Sequence, residues 1–192
     1  MTVGELAELA RRAQSGDEAA RDDLLAELYC SVRKHIHLVL GSRVLVEDAV
    51  QETMIALYLG LPRFRGDASP RTWALTIATR VAHKLRAWEA RYDLDNDDMA
   101  DTSVFDCGPA EAAELALLQR ALAKLAPKKR DAFVLMAIFE LSAEAAGRVL
   151  EVPANTAASQ YRHARAELQA RFKRMEAPTR LDVSRTPGAV ES

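Results

Sequence analysis

Apolar residues recur every three or four positions through most of this chain, and that spacing fits amphipathic α-helices and little else. The clearest run is Val46, Ala49, Val50, Thr53, Met54, Leu57, Tyr58 and Leu61, with Glu47, Asp48, Gln51 and Glu52 on the opposite face. A half-buried strand would alternate at every second residue instead. Composition points the same way. Ala, Leu, Glu and Arg are abundant, while 192 residues hold only 8 Gly and 7 Pro, so helix is favoured over strand.

Local signals divide the periodic stretches into elements. Gly4 to Ala13 and Asp17 to Leu40 read as two helices, broken at Ser15-Gly16, with Asp17 as N-cap of the second. Gly41-Ser42 ends that helix. The run from Val46 closes at Pro62. A loop rich in turn residues follows, Arg63-Phe64-Arg65-Gly66-Asp67-Ala68-Ser69-Pro70. A helix from about Arg71 to Tyr92 is predicted next, with Trp73, Ile77, Val81, Leu85, Trp88 and Tyr92 as its inward stripe. Thr72, Thr76, Arg80 and Lys84 lie four apart on an adjacent face.

From Asp93 to about Pro109 the apolar period disappears. Asp93 to Glu114 carries Asp93, Asp95, Asp97, Asp98, Asp101, Asp106, Glu111 and Glu114 with no Lys or Arg, which predicts a flexible acidic linker and a domain boundary. The net charge of −2 therefore conceals a pattern. The segment before the linker is basic through Arg63, Arg65, Arg71, Arg80, Lys84, Arg86 and Arg91, and the segment after it is basic again. Such sign asymmetry says more about partners than the net charge does.

The second half is predicted to hold a helix from Ala110 to Leu125, another starting at Pro127, a short one from Ala143 to Leu150 capped by Ser142, and a long one to about Arg174. Asn155 or Thr156 is expected to cap the last, whose inward stripe is Ala157, Tyr161, Ala164, Leu168 and Phe172. Phe133, Met136 and Ala137 are expected to face inward. The expectation is thus an all-α chain. Residues 1–92 form a four-helix N-terminal domain, 93–110 an acidic linker and 111–174 a C-terminal helix-turn-helix domain. Residues 175–192, with Pro, Ser and Gly but no period, are expected to be a disordered tail.

Several function classes find no support. Cys30 and Cys107 form no Cys-x-x-Cys pair. Cys30, His35 and His37 are the candidate metal ligands, but residues two apart on a helix point away from each other, so no metal is expected. No phosphate-cradling Gly loop, Gly-x-Ser-x-Gly or His-Glu-x-x-His occurs, so no catalytic residues and no cofactor are assigned and the chain is not expected to be an enzyme. No apolar run reaches the length of a membrane span and none resembles a signal peptide, so a cytoplasmic protein without membrane contact is expected.

Two constellations suit nucleic acid. The short helix, turn and capped long helix of the second half form a helix-turn-helix signature, whose second helix enters the major groove. Its outward face carries Thr156, Ser159, Gln160 and His163, flanked by Arg162 and Arg165. Gln pairs with adenine edges, Ser and Thr serve several bases, and Arg holds phosphates. A plain helical hairpin with a solvated polar face has the same pattern. The second constellation is the loop and helix over Arg63–Tyr92. Cations there can follow a strand backbone, while Phe64 and Trp73 can stack or pocket unstacked bases. Core packing of Trp73 and simple solvation of the basic face are the alternatives.

Together these residues resemble the extracytoplasmic-function sigma factors, the smallest members of the sigma-70 family. Glu47-Asp48-Ala49-Val50-Gln51-Glu52-Thr53-Met54 is similar to that family's helix for binding the polymerase clamp. Phe64-Arg65-Gly66 and Arg71-Thr72-Trp73-Ala74-Leu75-Thr76-Ile77-Ala78 are similar to its loop and helix that open and read the −10 element. Leu125-Ala126-Pro127, Arg130 and Asn155 to Arg165 resemble its −35 reading helix-turn-helix. The two domains then correspond to sigma regions 2 and 4.

The resemblance implies promoter recognition and transcription initiation as a polymerase subunit. Its implied partners are core RNA polymerase, promoter DNA and an anti-sigma factor. By the same comparison Asp48, Gln51 and Glu52 would meet the polymerase. Arg63, Phe64, Arg65, Arg71, Thr76, Arg80 and Lys84 would serve the −10 strand, and Thr156, Ser159, Gln160, Arg162, His163 and Arg165 the −35 duplex. The chain departs from the family at Arg80, usually Asn, and Lys84, usually Asp. Pro70 and Ala74 stand where larger apolar residues are common. Ala158 and Gln160 replace residues that are often basic, which predicts weaker isolated −35 binding. Ala146-Gly147 is expected to loosen the packing of its helix. Two other classes fit the same residues: a stand-alone helix-turn-helix regulator, and a decayed sigma that acts as a protein-binding module.

Overall fold

The structure, a computed structural model, describes residues 1–40, 43–92 and 117–176; the side chains of residues 43, 44, 92, 175 and 176 are not among those described. The predicted linker, residues 110–116 of the helix predicted from Ala110 to Leu125, the Gly41-Ser42 break and residues 177–192 of the predicted tail lie outside them, while residues 175 and 176 of that tail continue the last helix. Every regular element among the described residues is helical.

The first half holds α1 (Val3–Gln14), α2 (Glu18–Leu40), α3 (Arg43–Gly60) and α4 (Pro70–Tyr92), with a short 3-10 turn at Leu61–Arg63. The second holds α5 over residues 117–123, α6 (Pro127–Phe133), α7 (Ala143–Leu150) and α8 (Ala154–Glu176). A π-helical turn, Val134–Ile138, continues α6.

The boundaries follow from side chains and ring geometry near each end. Thr2 and Glu5 bond each other's backbone N–H groups in a capping box that starts α1. The Asp17 carboxylate accepts the Ala20 N–H at 2.9 Å and starts α2, as its sequence position predicts. Pro62 lies in the 3-10 turn after α3. Pro70 opens α4, where a missing N–H costs nothing, and the Ser69 hydroxyl accepts the Thr72 N–H at 3.1 Å. Ser142 caps α7 through the Ala145 N–H. The start of α8 differs from expectation. It begins at Ala154, with the Pro153 carbonyl accepting the Thr156 and Ala157 N–H groups, so Asn155 and Thr156 lie in the first turn and neither caps it.

Two apolar cores result. The larger joins Leu6, Leu24, Leu28, Ile36, Val50 and Leu57 of the first half, and it runs on into Leu122, Leu125, Val134 and Leu168 of the second. The smaller packs Leu135, Ala146, Val149 and Ala157 around Leu75, which comes from α4 of the first half. Full burial of Leu75 there contributes about 2–3 kcal/mol to holding the halves together, as an upper figure.

Polar contacts fasten the same junction. The Arg130 guanidinium donates to the carbonyls of Val39 (2.9 Å), Leu122 (3.0 Å) and Ala123 (3.2 Å), so one cation satisfies the C-terminal ends of α2 and α5. Asp131, beside it and 2% exposed, accepts from His83 Nε2 at 2.7 Å and from Arg86 at 3.1 Å, both on α4. Burial alone would raise the Asp131 carboxyl; the His83 hydrogen bond and the Arg86 charge outweigh it and hold the group below the usual range.

His35 of α2 lies wholly buried at this junction. Its Nε2 pairs with the Thr79 hydroxyl at 2.8 Å, and its ring meets Phe139 edge-on at 5.6 Å. Burial pushes its pKa down from 6.5 to about 4, and the charges of His83 and Arg86 add to that while Asp131 opposes it. The native ring is then neutral while an unfolded chain takes up a proton near pH 6.5. Stability is whole above that pH and falls as pH drops towards 4, by roughly 3 kcal/mol in total, levelling below. Urea unfolding from pH 7 to 4 should show this slope, and His35→Gln should flatten it over that window.

Candidate nucleic-acid interface

The loop between α3 and α4 is built from three directions. The Gln14 side chain, at the end of α1, donates to the Leu61 carbonyl at 3.1 Å and to the Phe64 carbonyl at 2.6 Å. The Phe64 ring packs against Trp73 with centroids 4.8 Å apart. A Cβ at Gly60 would come within 3.2 Å of the Trp73 ring, so the last turn of α3 seats that indole by lacking a side chain. Gln14 carries no motif and sits far from the loop in sequence, so only the packed structure shows its positioning role.

The loop and the first turns of α4 bring Arg63, Phe64, Arg65, Thr76 and Arg80 around one concavity of about 360 Å³, with Trp73 in its wall. These are residues the sequence nominates for a single strand. Arg63 and Arg65 are exposed, and the Thr76 hydroxyl donates to the Thr72 carbonyl at 2.9 Å. Arg71 is half-buried at the start of α4 and does not line the concavity. Arg148, from α7 of the second half, does line it.

The inward stripe of α4 departs from prediction. Ala74, Leu75, Ala78, Val81 and Ala82 are buried, Trp73, Ile77 and Leu85 are half-buried, and Trp88 is exposed. The helix is covered on two sides: Ala74, Ala78 and Ala82 face the first core while Leu75 enters the second. The small residue at Ala74, a departure in sequence, lets helices approach closely here.

The two other departures on α4 are occupied within the chain. Arg80 donates through Nε (3.0 Å) and Nη2 (2.7 Å) to the Glu151 carboxylate in the turn between α7 and α8. Lys84 pairs with Glu52 of α3 at 2.7 Å. Glu151 adopts φ 57°, ψ 39° at the end of α7, a left-handed conformation that costs a side-chain-bearing residue about 1–2 kcal/mol.

On α3, Asp48 and Gln51 are exposed and Glu52 is half-exposed in its pair with Lys84. The same face continues into Ile55 and Leu59, 60% and 68% exposed, where polar residues would be expected on a solvated helix. Tyr58, expected inward, is also exposed, with Arg21 over its ring at 5.2 Å. The apolar period of α3 is too broad for one core, and the surplus lies outside. Sequence reading missed Ile55 and Leu59, although their positions one turn beyond Gln51 and Glu52 were the available signal.

In the second half, α7, its turn and α8 form the helix-turn-helix. Thr156, Arg162, His163 and Arg165 are exposed on α8, while Ser159 and Gln160 are half-buried. Ala157, Ala164 and Leu168 are buried as expected, and Tyr161 and Phe172 half-buried. Cys30 is exposed while His35 is committed to Thr79, so these two do not converge on a metal; among the described residues no cluster with metal-ligand chemistry occurs. No described helix is long and apolar enough to cross a membrane.

Gly147 corrects an expectation. A Cβ there would stand 2.8 Å from the Val152 carbonyl oxygen and 3.2 Å from the Ala154 nitrogen. The absent side chain does not loosen α7; it lets the turn close tightly enough for the Val152 N–H to reach the Gly147 carbonyl at 2.9 Å. Gly147→Ala should therefore destabilise the protein by about 1–3 kcal/mol, the usual cost of overpacking, in urea unfolding. Unchanged stability would show that the backbone yields freely.

Comparison with known proteins bears on what these surfaces are for. The family described as Sigma-70 region 2 matches residues 24–92, and that described as Sigma-70, region 4 matches residues 115–168. The chain is 31% identical over 157 residues to the ECF RNA polymerase sigma factor ShbA of Streptomyces griseus, covering 74% of this chain and 82% of that protein. It is 29% identical over 178 residues to the RNA polymerase sigma-H factor of Pseudomonas aeruginosa, covering 82% and 89%. The solved structure of CnrH in complex with the cytosolic domain of CnrY is similar with a TM-score of 0.66 at 25% identity, over 86% of this chain and 96% of that one. The sigma factor RpoE from Bartonella quintana, solved with the anti-sigma factor NepR, shares the fold with a TM-score of 0.67 at 20% identity, over 79% and 96%.

Proposed function

The chain belongs to the sigma-70 family, in its extracytoplasmic-function group, and from that premise we infer how its three surfaces divide the work of promoter recognition. It binds core RNA polymerase, recognises the −10 and −35 elements and directs transcription initiation. RNA synthesis itself belongs to the polymerase, so this chain supplies specificity and no catalytic group. It acts in the cytoplasm, where the polymerase is. An anti-sigma factor is its regulatory partner, as NepR is the anti-sigma factor solved with the similar RpoE.

The observation that carries the residue assignment is the concavity where Arg63, Arg65 and Arg80 surround Phe64, Trp73 and Thr76. Cations that follow a backbone, set beside aromatic rings, suit an unstacked base better than duplex DNA. Arg71 and Lys84, on the same helix, extend that track. Thr156, Ser159, Gln160 and His163 face the −35 bases, with Arg162 and Arg165 on phosphates. Asp48, Gln51 and Glu52 meet the polymerase, and the exposed Ile55 and Leu59 supply the apolar centre of that contact.

Run-off transcription with purified core polymerase and candidate promoters tests the reading. Promoter-specific transcripts are expected; their absence from every template, with no binding to core, would overturn it. Ile55→Asp with Leu59→Asp should weaken core binding by at least about tenfold, since each buried apolar side chain contributes about 1.5–3 kcal/mol. Gln160→Ala should cost about 1–3 kcal/mol at one −35 base pair and relax preference there. Arg165→Ala should instead weaken all sequences alike and reduce the salt slope by about one, readable in fluorescence anisotropy across salt.

A further inference from the structure

We propose that α1 decides which base the −10 concavity accepts, with Gln14 as the positioning residue that sets the backbone at Phe64 and Arg65. The proposal rests on the reading of that concavity as the seat of an unstacked base, and adds a further helix to it. Residues 24–92 match Sigma-70 region 2, so α1 and Gln14 lie outside the matched segment.

The loop before α4 has a cavity on each side. Towards α4 lies the concavity of about 360 Å³ that Arg63, Thr76 and Arg80 line. Towards α1 lies another of about 430 Å³, lined by Ala7, Ala10, Arg11 and Gln14. Phe64, Arg65 and Ala68 belong to the walls of both. The middle of the loop is therefore a thin partition, with open space between it and α1. Dispersion contact is lost across such a gap, so apolar packing cannot fix the partition from that side.

Gln14 fixes it instead. Its amide nitrogen donates both hydrogens, one to the Leu61 carbonyl at 3.1 Å and one to the Phe64 carbonyl at 2.6 Å. Both partners are acceptors, so the amide oxygen cannot take the nitrogen's place. The first bond holds the 3-10 turn after α3, and the second holds the residue whose ring packs on Trp73. The far end of the loop is held separately, by the Ser69 hydroxyl on the Thr72 N–H, and Gly66 at φ 76° turns the chain between the two holds.

The helix end that carries Gln14 is firm. Leu6 and Ala10 bury one side of α1, and Arg12 donates to the Asp17 carboxylate at 2.9 Å. Gln14 itself is exposed at the last position of α1, so its replacement disturbs no core. A shift of the Phe64 carbonyl carries the Phe64 ring and the Arg65 guanidinium with it, and both line the concavity. Discrimination by a preformed site needs its groups held within about 0.5 Å of place, which is the service the two hydrogen bonds perform.

The test compares Gln14→Met, which keeps the length and loses the donor, with Gln14→Lys, which keeps a donor. Trp88→Phe leaves Trp73 as the sole indole of the full chain, and acrylamide quenching of Trp73 then reports the loop without any DNA. Quenching should rise in Gln14→Met and return to its original level in Gln14→Lys. With core polymerase bound, fluorescence anisotropy on single-stranded oligothymidylate, plain or with one central dA, dC or dG, gives the ratio of tightest to weakest affinity. That ratio should fall about three- to tenfold in Gln14→Met, the effect of losing one or two exposed hydrogen bonds. Gln14→Lys adds a charge that strengthens every strand alike, so its ratio should match that of the unaltered protein. An unchanged ratio in Gln14→Met would overturn the proposal, as would an equal fall in Gln14→Lys, since the donor would then be immaterial. Equal affinity of the unaltered protein for all the strands would overturn the reading of the concavity itself, and the proposal with it.

Discussion

One helix, α4, is buried from two sides, and the rest of the molecule is arranged around that constraint. Its Ala74, Ala78 and Ala82 lie against the first core while Leu75 and Thr79 turn towards the second half and His35. Small residues on one side and a large one on the other are what allow a single helix to be shared. A bulkier residue at Ala74 or Ala78 would hold α4 away from α2 and α3, and the loop carrying Phe64 would lose its seat with it.

Charge does at this junction what apolar contact cannot, which is to fix the relative placement of the halves. Apolar surface tolerates sliding, whereas the Arg130 guanidinium must meet the carbonyls of Val39 and Leu122 together and Asp131 must meet His83 and Arg86. Buried groups of this kind are costly unless satisfied, so a displaced arrangement loses more than it does in a purely apolar seam. The same logic explains a nearly neutral chain with basic segments. Several of its cations are matched by carboxylates of its own, Lys84 with Glu52 and Arg80 with Glu151 among them.

How much was legible beforehand varied with the range of the interaction. The start of α2 at Asp17, the span of α7 behind Ser142 and the inward Ala157, Ala164 and Leu168 of α8 were all readable, because caps and periodicity act within a turn or two. The start of α8 was misplaced because Asn155 and Thr156 are good caps in general, and the Pro153 carbonyl competed with them. Spacing alone places Tyr58 and Trp88 in the interior, yet both are exposed, since a period says which residues share a face and not whether anything covers it.

Sequence by itself therefore determined the helices among the described residues, their order and the helix-turn-helix, since each is written in neighbours a few positions apart. Tertiary structure decided which faces are covered, that Gln14 anchors the loop before α4, that Gly147 is a point of close contact, and that Arg80 and Lys84 meet carboxylates. Those pairings join residues tens of positions apart. No local propensity encodes them, and they exist only once packing has brought distant side chains within hydrogen-bond reach.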